Sequence, residues 1–171
     1  DMQAKIEKEP ANINYRRHLA NLYASRKEFG KAIDALEAAQ TAAGGRDPQV
    51  DAAISSMKLN QFEHAIETLE AAGDQAAAEA KRAEQAAFQF ANLASRVERY
   101  PNDLPLRFEY GVALFERDNL NDAIQQFQMA SRSPAERIRA MHYIGQCFHR
   151  KKQYDMAADQ LSKTAAEIPT M

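Results

Sequence analysis

LRFEYGVALFERDNLNDAIQQFQMASRSP, residues 106–134, and AMHYIGQCFHRKKQYDMAADQLSKTAAEIP, residues 140–169, decide how this chain folds. Laid over one another they keep a spacing of 34 residues: Gly111 falls on Gly145, Leu114 on Phe148, Leu120 on Tyr154, Ala123 on Ala157 and Phe127 on Leu161. In each stretch apolar residues recur with helical period, break at a run of polar ones, and resume. Each unit therefore reads as a helix, a short turn and a second helix.

The pattern occurs twice more toward the start. NYRRHLANLYASRKEFGKAIDALEAAQ (14–40) puts Leu19, Ala20, Tyr23, Phe29, Ala32, Leu36 and Ala39 at the matching places. DPQVDAAISSMKLNQFEHAIETLEAAG (47–73) follows as a shorter, degenerate copy with Ala53, Phe62, Ala65, Leu69 and Ala72. Ala32 and Ala65 are 33 apart, so the register slips there by one residue. Small residues at fixed spacing have a packing reason. Ala20, Gly111 and Gly145 stand where two helices cross closely, and Ala32, Ala65, Ala123 and Ala157 supply the small surface on the second helix. Leu and aromatic side chains one turn away fill the space beside the crossing. A single helix pair cannot bury its own apolar stripe, so neighbouring pairs have to stack.

Composition agrees with an all-α chain. Thirty-three Ala against three Val and four Thr favour helix and leave little for strands. With 45% hydrophobic and 27% charged residues, the balance is that of a folded chain. Twenty-two Lys+Arg against 24 Asp+Glu give a net charge of −2, which provides no bulk field for nucleic acid. No apolar run approaches the roughly 20 residues of a membrane span. The single cysteine, Cys147, excludes an internal disulfide framework and a Cys-based zinc cluster, and reads as a small core filler.

On these residues the pattern resembles the tetratricopeptide repeat, a helix–turn–helix motif with Leu-(Gly/Ala)-x-x-Tyr in its first helix and Ala and an aromatic in its second. Here those places hold Leu19-Ala20-x-x-Tyr23 with Ala32, Leu36 and Ala39; Tyr110-Gly111-x-x-Leu114 with Ala123, Phe127 and Ala130; and Ile144-Gly145-x-x-Phe148 with Ala157 and Leu161. The family's Trp early in the first helix is missing everywhere. The resemblance implies a right-handed α-solenoid of about four helix pairs. Its divisions would be 1–9 as the end of a preceding repeat helix, 12–43 as a repeat, 47–73 as a degenerate repeat, 74–100 as a long helix, and 103–132 and 133–168 as repeats. The ends read as a segment of a longer array.

Residues 74–100 contain neither Gly nor Pro and predict one long helix of about 25 residues, roughly 38 Å. Ala76, Ala80, Ala83, Ala87, Phe90, Ala94 and Val97 share one face at coiled-coil spacing. That seam predicts close packing within the array, or a homodimer built on this helix. Phe88 lies off the seam and anchors the helix elsewhere. Helix ends are signalled by Asp47-Pro48, by a capping box at Ser133-Pro134-Ala135-Glu136, and by Glu9-Pro10, Tyr100-Pro101 and Ile168-Pro169 as stops.

Chemistry is scarce. Gly44-Gly45 has no following Gly-Lys-Ser/Thr, so it is no phosphate loop. Ser55-Ser56-Met57-Lys58 matches a nucleophile spacing without its companion motifs. His142 and His149 are two turns apart with no carboxylate to complete a metal site. The sequence therefore predicts no catalysis, no metal and no cofactor.

Surface remains. In the resembled family, the first helices of successive repeats line a groove for a peptide or another protein. Mapped onto this sequence, the groove holds Arg17, Asn21 and Ser25; Phe108, Glu109, Val112 and Glu116; and Arg139, His142, Tyr143, Gln146, His149 and Arg150. The last group, extended by Lys151 and Lys152, is basic and aromatic and predicts an acidic segment in the partner. Some family members clamp a C-terminal carboxylate of chaperones. Arg17 and Asn21 fit that clamp, but Glu109 and Tyr143 stand where Asn and Arg would be needed. The expected function is a non-catalytic scaffold or adaptor. The alternatives are a regulatory or substrate-recruiting module of a larger enzyme, and a homo-oligomerising element built on 74–100.

Overall fold

The computed structural model describes residues 2–10 and 12–168. Among these residues there are nine α-helices and no strand. The helices are α1 (Met2–Lys8), α2 (Ile13–Ser25), α3 (Phe29–Ala42), α4 (Pro48–Ala71), α5 (Gln75–Arg99), α6 (Leu104–Glu116), α7 (Leu120–Ala130), α8 (Arg137–Arg150) and α9 (Tyr154–Glu167). The chain forms two compact units, Asp1–Gln89 and Phe90–Met171, which divide within α5.

In the first unit α2 and α3 pack side by side, and α4 packs on α3. The core is Ala20, Ala32, Ile33, Leu36, Val50 and Ile54, with Tyr23 and Met57 against it. Ala20 and Ala32 are fully buried, as small residues at a close crossing should be. Helix starts follow local chemistry: Asp47 accepts bonds from the backbone N–H of Gln49 and Val50, with Pro48 in the first turn. Asp51 is buried, and its carboxylate accepts from the Gln40 side chain across α3 and α4.

One expectation fails here. The copy at 47–73 is not a helix, turn and helix; α4 runs unbroken through it for 24 residues. Ala65 consequently has no separate first helix of its own pair to cross and is only half-buried. The final part of α4 meets the start of α5 through long side chains, with Phe62 and Phe88 rings 5.7 Å apart and Arg82 bonded to Glu70.

The long helix itself is as expected, but its seam is not. Ala76, Ala80, Ala83 and Ala87 are exposed, while Ala78 is buried and Lys81, Gln85 and Phe88 are half-buried. Further along, Phe90, Leu93 and Val97 pack against Leu106, Tyr110 and Ala113 of the second unit. A homodimer using Phe90 and Val97 would have to take both from their own core.

In the second unit α6 pairs with α7, α8 with α9, and α8 lies on α7. Gly111 lies directly beneath Phe127: a Cβ there would stand 2.8 Å from the ring. Gly145 does the same beneath Leu161. Phe127 and Cys147 are fully buried at the centre, with Ala123, Ala130, Ala140 and Ile144 around them. The capping box at 133–136 does not form. Residues 134–136 make a turn, α8 begins at Arg137, and Glu136 precedes it without a side-chain cap. α5 stops before Pro101 as expected; Pro169 lies outside the described residues.

The three elbows inside helix pairs are alike. Lys27, Asp118 and Lys152 occupy one repeat position and all adopt the left-handed region, with φ of 60°, 61° and 59°. Asn60 holds the same place in the 47–73 copy and stays helical within α4.

Candidate functional site

The site is built where α6 and α8 run side by side in the second unit. Tyr143 of α8 ties them together. Its ring stacks on Phe127 at 4.9 Å and meets Phe108 and Phe115 edge-on at 5.7 and 5.3 Å. This corrects two expected groove residues. Phe108 is only 4% exposed and belongs to the core, and the half-buried Tyr143 is spent on the junction between helices. An aromatic ring at a groove register is pulled inward when a hydrophobic seat lies within reach.

Two arginines lie above these rings. The Arg139 guanidinium sits 4.3 Å from the Phe108 centroid and that of Arg150 3.7 Å from Phe115. Arg139 also pairs with Glu136 at 3.0 Å, yet its side chain remains 64% exposed. Arg150 donates to the Phe115 carbonyl at 3.0 Å, adding a second donor to an oxygen in the last turn of α6 that already accepts from the Asp118 backbone N–H, and approaches the Asp118 carboxylate at 3.9 Å. Its side chain remains 45% exposed.

Along α6 the stripe Glu109, half-buried Val112 and Glu116 borders this pair. Burial pushes the Glu109 carboxyl above its ordinary range; Asp103 and Glu136 add to the effect and Arg96 opposes it. Arg96, half-buried in the last turns of α5, is the positive charge that bears on Glu109. No groove register marks it, because 74–100 reads as a helix that packs within the array or pairs with a second copy. Arg117, likewise unmarked, lies 4.1 Å over the Phe90 ring.

The remaining groove residues are dispersed. Gln146 reaches His142 at 2.9 Å, and the His149 ring meets Tyr154 at 5.5 Å. Lys151 donates to Asn121 at 2.6 Å, so part of the basic run is bound within the unit. In the first unit Arg17 donates to Gln49 of α4 at 3.1 Å, Asn21 is exposed, and the Ser25 hydroxyl donates to the Leu22 carbonyl.

Groups that suggested chemistry have structural partners. The Ser55 hydroxyl is buried and donates to the Asp51 carbonyl, while Lys58 lies 3.9 Å from Glu37. Among the described residues no three or more His, Cys, Asp or Glu gather as a metal site, and no helix is long and apolar enough to cross a membrane. Burial raises the Cys147 thiol to about 11, against which Arg150 and Lys151 work only in part. At pH 8 the reactive thiolate is then about one part in a thousand. The native protein should resist a disulfide reagent such as Ellman's and react once unfolded; rapid native labelling would contradict this burial.

No protein-family model and no curated protein matches this chain. Solved structures do match. One is YrrB, described as a TPR protein with an unusual peptide-binding site, with a TM-score of 0.54 and 19% identity, covering 95% of this chain and 72% of that one. Another is MamA, with a TM-score of 0.58 and 13% identity, covering 96% and 83%. At such identities the likeness is one of fold: the chain has the tetratricopeptide-like fold of helix–turn–helix repeats.

Proposed function

We propose that this chain is a non-catalytic interaction scaffold, and that the face shared by α6 and α8 receives an acidic segment of a partner protein. The observation that carries this reading is the seating of Arg139 and Arg150. Each planar cation rests on a phenylalanine while much of its side chain stays open to solvent. A guanidinium held in place loses less freedom on binding, and its fork suits a carboxylate. The long pair with Asp118 is a surface pair, worth about 0–1 kcal/mol, and yields readily to a better partner. Glu109 and Glu116 on the α6 side repel carboxylates and so direct an acidic chain toward α8. YrrB, of like fold, is described as having a peptide-binding site, which is the kind of occupant meant here.

Fluorescence anisotropy with a labelled Asp/Glu-rich peptide, beside its Asn/Gln counterpart, tests the reading. The acidic peptide should bind, and bind less well as salt rises. Charge-assisted bonds are worth about 1.5–3 kcal/mol each. Arg139→Glu together with Arg150→Gln should therefore weaken binding about tenfold or more. Unchanged affinity in that variant, with its unfolding transition intact, would remove the assignment.

A further inference from the structure

Two rows of opposite charge run along the α6–α8 face with one repeat distance. On α6 the exposed Glu109 and Glu116 are seven residues apart, with half-buried Val112 between them. Toward α8, the Arg139 and Arg150 guanidiniums are placed by the rings beneath them, Phe108 and Phe115, which are also seven residues apart on α6. Seven residues of helix rise about 10 Å, so each row carries two charges at that interval. Around Glu109, Arg96 supplies one positive charge against the negative charges of Asp103 and Glu136. Both walls are helices packed in place, α6 on α7 and α8 on α7 and α9, so the face needs no further helix to form.

Resting on the role of Arg139 and Arg150 as receivers of carboxylates, we propose that the acidic segment is one flank of a partner α-helix whose other flank is basic. Residues seven apart on a helix lie on one side of it, about 10 Å from each other. Acidic residues at that interval meet both arginines. Basic residues at the same interval on the opposite flank meet Glu109 and Glu116, and a small apolar residue between the flanks rests on Val112. An extended chain does not match these rows. It turns one side to the face only at every second residue, at intervals of about 7 or 13 Å, and its residues three apart point to opposite sides.

The probe is a labelled alanine-rich peptide with Glu at each e and Lys at each g position of successive heptads, checked as helical by circular dichroism. In fluorescence anisotropy it should bind about tenfold or more tightly than an isomer with the same residues shuffled, and than a variant with proline at its centre. Glu109→Gln with Glu116→Gln, at exposed positions, should weaken this probe about fivefold and strengthen an all-acidic peptide. Loss of fold would not produce such opposite shifts. If the all-acidic peptide binds through Arg139 and Arg150 while the shuffled and proline-broken probes match the striped helix, the helical occupant is overturned and the acidic-segment reading stands. Absence of binding by every peptide, all-acidic and striped alike, would overturn both.

Discussion

Phe127→Ala should cost about 3–5 kcal/mol, the loss typical of a large ring cut from a core. Phe127 is fully buried, and its ring is held from three sides: Gly111 beneath it, Tyr143 stacked at 4.9 Å, and Phe108 at 5.6 Å. Removing it leaves Tyr143 without its seat and opens a void that the paired helices cannot close. The loss should appear in urea unfolding followed by circular dichroism, as a lower midpoint. Phe127→Leu should lose less, because it retains part of the packing. If Phe127→Ala unfolded within about 1 kcal/mol of wild type, the central packing described for α6, α7 and α8 would be wrong.

Gly111→Ala and Gly145→Ala should differ, although the two glycines hold one repeat position. Within a helix, alanine is favoured over glycine by about 0.5–1 kcal/mol. At Gly111 the added methyl would stand 2.8 and 2.9 Å from two atoms of the Phe127 ring, and Phe127 has nowhere to go. Overpacking of this kind costs about 1–3 kcal/mol, so Gly111→Ala should be destabilising on balance. At Gly145 the methyl meets Leu161 at 2.6 Å, but that side chain is 37% exposed and can swing toward solvent. Gly145→Ala should stay within about 0.5 kcal/mol of wild type. Equal unfolding midpoints for the two variants would contradict this difference in surroundings.

Periodicity made most of the architecture legible. Small residues at 34-residue spacing marked the crossings at Gly111 and Gly145, and the absence of Gly and Pro from 74–100 marked the long helix α5. Asp47-Pro48 marked a helix start because a cap is local chemistry. The failures share a cause: each depended on what a residue meets across space. The 47–73 copy carries apolar residues near the repeat places, yet α4 runs unbroken through it. In α5 the alanines at seam spacing face solvent, because Phe62 draws the Phe88 side of the helix inward. At the candidate site Arg139 and Arg150 lie over the Phe108 and Phe115 rings of α6, while Phe108 and Tyr143 pack into the core. Arg96 bears on Glu109 from a helix that no motif marked.

The positive φ at Lys27, Asp118 and Lys152 has a wider bearing. Lysine is a poor choice for left-handed backbone, which costs a side chain about 1–2 kcal/mol, whereas asparagine tolerates it well. Yet two of these bends carry lysine, while Asn60 continues a straight helix. The hinge residue is therefore a passenger. A chain built in this way should accept asparagine or glycine at its corners with a small gain, while edits to the walls on either side decide whether the corner forms at all.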